Sequence, residues 1–205
     1  MIPVQRLRRL LKATEAALRS QRGDVLEFGV ASGGSAVLLA RTARRYRSRF
    51  AGFDVFGMPP APTEKDGSTA ADRHEVILAG KAEGVGGDVY YGYKTDLLQT
   101  VSETFDRYGL PVDGQNVTLL KGLFEETWPS FASKPVAMAH IDISWHDPVK
   151  YSLDVVAPLL TRSGRIVVNT YRDAGGSRDA VDQFLAAHRD FVMEDGDTPI
   201  LRRRT

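Results

Sequence analysis

The stretch Glu27-Phe28-Gly29-Val30-Ala31-Ser32-Gly33-Gly34-Ser35 gathers a carboxylate, three glycines and hydroxyls within nine residues. Residues 25–28 read as a short, mostly apolar strand suited to burial. Gly29, Gly33 and Gly34 let the backbone turn sharply and approach a ligand with no Cβ in the way. Ser35 reads as a helix cap, and the apolar run 36–40 as the helix it starts. At such a junction open α/β sheets bind nucleotide-like ligands, because free N–H groups and a positive dipole end face the crevice. The spacing is Glu-x-Gly-x-x-x-Gly rather than the dinucleotide Gly-x-Gly-x-x-Gly. A carboxylate at Glu27 repels a pyrophosphate but attracts an ammonium, which favours a ligand with an amino-acid moiety, such as S-adenosylmethionine. On this stretch alone, a plain strand-turn-helix whose glycines serve only packing fits as well.

Asp54 ends a second short strand, 50–54. An acid at a strand end is suited to holding a ribose through two hydroxyls. Without Glu27 and its glycines, it would read as a surface aspartate capping a turn. His146 lies just past a fourth strand, 135–142, where catalytic groups gather, and its imidazole titrates near neutrality. It serves either as a base or as a loop histidine that packs on Trp145 or caps the next helix. His140 reads as a buried strand residue. Tyr171, Arg172 and Asp173 either contact an acceptor or form an ordinary surface loop.

These groups need a frame. Val4, Leu7, Leu11 and Leu18 recur near helical spacing, with Arg6, Arg8, Arg9 and Lys12 for the wet side. The predicted helix lies against the first strand or enters a dimer interface. Residues 57–92 lack clear periodicity and are rich in turn formers, so 58–92 reads as a lid inserted directly after Asp54. A helix carrying Leu97, Val101 and Phe105 ends at Gly109, and a third strand spans 116–121. Asp147-Pro148 predicts a helix start, with Gly164 as its stop. A strand at 165–169, a helix capped by Ser177 and two closing strands around Asp195-Gly196 follow. Alternating strands and helices predict an α/β fold with a mostly parallel sheet, helices on both faces and an antiparallel edge.

At 205 residues the chain fits a single domain, 1–205. Its formal net charge of +1, with acids and bases interspersed, gives no footprint for nucleic acid. The absence of cysteine removes disulfides, thiolate metal sites and a cysteine nucleophile. No stretch approaches a membrane span, and a cytoplasmic protein is expected.

Several stretches in order carry a resemblance: the Glu27 motif, Phe53-Asp54-Val55-Phe56-Gly57-Met58-Pro59-Pro60, Lys121-Gly122-Leu123-Phe124-Glu125-Glu126-Thr127-Trp128-Pro129, His140-Ile141-Asp142, and the segments from Pro158 and Ala180. Together they resemble the macrocin and mycinamicin sugar O-methyltransferases over nearly the whole chain. The resemblance implies a Rossmann-like class I methyltransferase fold with a seven-stranded sheet and S-adenosylmethionine at the tips of the first strands. It places Glu27, Gly29, Gly33, Ser35, Asp54 and Asp142 at the cofactor, with Gly122 and Phe124 near the adenine. Typical members also hold a magnesium ion on vicinal sugar hydroxyls.

Departures from the family pattern cluster at that metal. Members read Asp-Gly-Asp where this chain has Asp142-Ile143-Ser144, and Asp-Asp where it has Asn169-Thr170. One carboxylate, one amide and two hydroxyls make a poor magnesium site, so no metal ligand is assigned. Ser144 cannot replace the family's base unaided, which leaves His146 first and Asp142 second. Ser144, Trp145, Asn169 and Tyr171 are the expected acceptor contacts. The expected activity is metal-independent methyl transfer to a hydroxyl of a small-molecule natural product or its sugar, by a homo-oligomer. The alternative is a non-methylating or non-catalytic member that keeps the cofactor-binding fold for other work.

Overall fold

A computed structural model describes residues 2–131 and 135–204. Seven strands form one sheet: β1 Asp24–Phe28, β2 Phe50–Asp54, β3 Val117–Lys121, β4 Val136–Ile141, β5 Leu160–Val168, β6 Phe191–Glu194 and β7 Ile200–Arg203. Their spatial order is β3-β2-β1-β4-β5-β7-β6. The first five are mutually parallel, while β7 runs antiparallel to both β5 and β6. The strand order reverses at β1 and β4, and the carboxyl ends there open a crevice.

Helices cover both faces, as the alternation predicts. On one side α1 Val4–Ser20, α2 Gly34–Arg45 and α4 Leu97–Arg107 bury Leu10, Leu39 and Phe105 against Val25, Met138 and Val167. On the other, the short α5 Phe124–Thr127, α6 His146–Val156 and α7 Gly175–Ala187 bury Phe124, Leu153 and Phe184 against Leu26, Phe28 and Val168. Side chains of successive strand residues point to opposite faces. This places Glu27 and His140 on the α1 side, directly opposed across β1 and β4.

Local expectations are corrected at several points. Helix α1 packs mainly over β4, β5 and α2 rather than the first strand. The cap of α2 is Gly33, left-handed at φ 84°, and Ser35 sits inside the first turn. Residues 68–78 of the 58–92 segment form a helix, α3 Ser68–Leu78, which buries only His74 and Ile77 and so shows little apolar stripe. Helix α6 starts at His146, because Asp66 from that segment accepts the His146 N–H at 2.6 Å and does the capping expected of Asp147. It ends at Val156 and tightens into a 3-10 turn over Ala157–Leu159, where Pro158 has no N–H to continue the α-helical hydrogen bonds. Gly164 therefore lies within β5, where the register against β4 shifts. Likewise α7 begins at Gly175, with Ser177 buried in its first turn.

Candidate active site

The crevice at the carboxyl ends of β1, β2 and β4 is a solvent-open cleft of about 680 Å³. Gly29, Ala31, Asp54, Phe124, Asp142 and Trp145 lie on its wall, together with Pro59, Pro60 and Tyr91 from the inserted segment. Three wall residues, Asp54, Glu125 and Asp142, are acids, and among the described residues no lysine, arginine or histidine lines it. Such a wall suits a cationic ligand and disfavours a polyanion.

Backbone geometry explains the glycine turn. Gly29 has φ 93°, and a Cβ there would stand 2.5 Å from the Asp142 carbonyl oxygen. Only glycine permits that approach between the end of β1 and the end of β4. Ala31 is also left-handed, at φ 46°. Its N–H donates to Asp54 Oδ2 at 2.8 Å, while Phe56 N–H donates to Oδ1 at 2.7 Å. Asp54 thus fastens the turn, with the Val30 N–H also acting on its carboxylate. Burial pushes its carboxyl above the usual range, against the opposing pull of these N–H groups.

Glu27 is fully buried beneath the turn and does not reach the cleft wall. Its Oε1 lies 2.7 Å from His140 Nδ1, and Oε2 has no hydrogen-bond partner. Burial raises the Glu27 carboxyl; His140 and, more weakly, the nearby Ser35 hydroxyl favour its charged form. For His140, burial works downward, but the hydrogen bond and charge of Glu27 more than reverse it. Gly33, Ser35 and Gly122 also sit behind the wall rather than on it, and Gly122 N–H donates to the Asp54 carbonyl at 3.0 Å.

At the other end of the cleft, Asp142 Oδ1 accepts a hydrogen bond from Asn169 Nδ2 at 2.8 Å. The Asn169 carbonyl accepts one from Arg6 Nη1 at 3.2 Å, and the same guanidinium grips Asp173. Thr170 donates to the Ile143 carbonyl and pairs with the Ser177 hydroxyl. This donor set does not fit magnesium. Its one carboxylate turns an oxygen to an amide N–H, and a hard divalent cation requires several oxygens with enough charge to replace its water. Among the described residues, no three of His, Cys, Asp and Glu gather as a metal site would require.

His146 is 3% exposed and lies off the cleft wall. Its Nδ1 is 2.8 Å from Asp147 Oδ1 and its Nε2 is 3.1 Å from Gln183 Oε1, so both ring nitrogens are engaged. Lys65 donates to the same Asp147 oxygen at 2.6 Å, and Trp145 Nε1 to the Pro60 carbonyl at 3.2 Å. These contacts tie the inserted segment to the start of α6. Tyr171 turns toward α7, donating to Asp182 Oδ1 at 2.9 Å, and Ser144 is not on the wall.

The sequence model of the macrocin-O-methyltransferase (TylF) family matches residues 1–194. The chain belongs to this family. It is an S-adenosylmethionine-dependent methyltransferase, and the seven-stranded sheet is the fold of its class. A curated relative from Streptomyces olivaceus, 8-demethyl-8-(2,3-dimethoxy-alpha-L-rhamnosyl)-tetracenomycin-C 4'-O-methyltransferase, is 26% identical over all of this chain and 75% of its own length. The O-methyltransferase NovP superposes with a TM-score of 0.77 at 21% identity, covering 98% of this chain and 81% of NovP. The apo structure of CalS11, described as a TDP-rhamnose 3'-O-methyltransferase in calicheamicin biosynthesis, gives 0.61 at 19% identity, covering 98% and 81%. The residue that the sequence does not reveal is Arg6, whose place in the helical pattern puts it on the wet side of α1. Its side chain is only 18% exposed, and its partners lie more than 160 positions away. No local signal marks such a contact.

Proposed function

We propose that this family member methylates a hydroxyl on a sugar of a small-molecule natural product without magnesium, with Asp142 as the general base. The observation that carries this is the placement of Asp142: it is on the cleft wall, one oxygen fixed by Asn169 and the other, among the described residues, without a hydrogen-bond donor. Two of the named relatives act on rhamnose, one as part of a tetracenomycin glycoside and the other as a nucleotide sugar, which supports a sugar hydroxyl as the acceptor.

When bound, S-adenosylmethionine supplies an electrophilic methyl on a sulfonium. Asp54 would hold the ribose hydroxyls, Phe124 and Gly122 would border the adenine, and the Gly29–Gly33 turn would admit the amino-acid portion, with Glu27 and Ser35 nearby. Three acids and no cation on the wall favour the sulfonium electrostatically. At the acceptor end, Oδ2 of Asp142 would receive the proton of the acceptor hydroxyl, which is this residue's own part in the transfer. Alignment of nucleophile and methyl with water excluded supplies much of the acceleration. Trp145, Pro59, Pro60 and Tyr91 shield that end, with residues 58–92 as the lid. The reading includes a homo-oligomer acting in the cytoplasm with no nucleic-acid partner, in keeping with the balanced charge. No described helix is long and apolar enough to cross a membrane.

Calorimetry with S-adenosylhomocysteine, followed by single-turnover assays of wild type and Asp142→Asn on rhamnosides, tests the proposal. One cofactor site per chain, with turnover lost in Asp142→Asn, is the expected result. Absence of cofactor binding would refute it.

A further inference from the structure

We propose that Arg6, on the N-terminal helix, is a positioning residue that holds the Asp142 carboxylate in its working orientation through Asn169. This rests on the assignment of Asp142 as base.

The contacts form one continuous path. Arg6 reaches from α1 to the turn after β5, donating Nη1 to the Asn169 carbonyl at 3.2 Å and Nη2 to Asp173 Oδ1 at 3.0 Å. Asn169 N–H is bound to the Ile141 carbonyl at 2.9 Å, so its backbone is fixed against β4 on one side and against the guanidinium on the other. From that backbone, the Asn169 amide donates to Asp142 Oδ1 at 2.8 Å. An arginine fork bound to both a carboxylate and a carbonyl defines a plane and a direction, which a point charge does not.

Arg6 also brings charge. Electrostatic attraction from Asp142 and Asp197, beyond that of Asp173, acts on its guanidinium. Arg9, one turn further along α1, donates to the Thr198 and Asp195 carbonyls at 2.8 and 2.7 Å. Helix α1 is thereby pinned to two loops at the carboxyl edge of the sheet, and Arg6 is the member of that pair whose path leads to the cleft. Arg6 is not on the cleft wall, so its effect on the reaction passes through Asn169.

A double-mutant cycle tests this. Arg6→Ala and Asn169→Ala are each expected to lower kcat about tenfold, with KM and the affinity for S-adenosylhomocysteine within twofold of wild type. The double variant should be no slower than either single one, because the second substitution removes a link already broken. Arg6→Lys, which keeps the charge but not the fork, should recover only part of the loss. Multiplying losses in the double variant would overturn the proposal, as would full kcat in Arg6→Ala. If Arg6→Ala fails to fold, Asp173→Asn loosens the same guanidinium from the surface and must reproduce the kcat loss, or the proposal fails. Full turnover in Asp142→Asn would instead remove the base assignment on which it rests.

Discussion

The Asn169 amide and the Asp142 carboxylate meet at 2.8 Å across the ends of β5 and β4, so the cleft's acceptor-end acid is oriented by a neutral donor. A carboxylate held by an amide keeps its charge and one oxygen free. A second carboxylate in the place of Asn169 would demand a cation.

Asn169→Asp is therefore expected to destabilise the protein at neutral pH by about 1–3 kcal/mol, the cost of losing a hydrogen bond to a charged group and meeting a like charge instead. The repulsion raises the folded-state pKa of the coupled pair above the unfolded value of about 3.9. The penalty should thus be small below that value and grow as pH rises through the raised one. Thermal melts of both proteins across the acid range measure it. A pH-independent difference would show that the two side chains do not meet.

Asp54→Ala is expected to weaken S-adenosylhomocysteine binding by roughly 10–100-fold, the scale of charge-assisted hydrogen bonds. Burial raises the Asp54 carboxyl, so affinity in the wild type should start to fall, as pH is lowered, earlier than an ordinary aspartate would protonate. Titration calorimetry at stepped pH gives both numbers. An affinity flat in pH and unchanged in the variant would place the ribose elsewhere.

Turnover and melting temperature are expected to be the same with magnesium and with a chelator. The basis is a donor set of one amide-bound carboxylate, an amide and hydroxyls. A loss on chelation that magnesium restores would mean that a metal is bound by residues other than these.

How much of this was legible in the sequence differs by element. The strands carrying Glu27, Asp54 and Asp142 were readable, because buried parallel strands are short apolar runs and their glycine and acid punctuation is local. Helix α3 was not, since only His74 and Ile77 of its eleven residues are buried and the surrounding prolines and glycines dominate the pattern. The sequence puts the start of α6 two residues too late, because the carboxylate that meets its first N–H is that of Asp66, 80 positions away. Arg6 was lost for the same reason: a basic residue in an arginine-rich helix announces exposure, and only the folded sheet brings it to Asn169.

His146 and Asp142 divide the remaining roles, and substitution should separate them. Both His146 ring nitrogens are engaged, by Asp147 and Gln183, while Lys65 holds the same Asp147 oxygen. That arrangement fastens the inserted segment to α6 and α7. His146→Ala removes two part-buried hydrogen bonds and leaves a cavity, so it is expected to cost about 1–3 kcal/mol of stability. Below the melting transition its turnover should stay within a few-fold of wild type, because no proton leaves the cleft through a group that does not face it. Asp142→Asn should behave in the opposite way. Its shape is conserved and its melting temperature should move little, yet a general base typically contributes 10²–10⁴-fold, and turnover should fall on that scale with cofactor affinity intact. Paired melts and single-turnover rates on the two variants decide between the roles. Should His146→Ala lose the larger rate while Asp142→Asn retains it, the imidazole must swing into the cleft during the reaction, and the proton would be taken by His146.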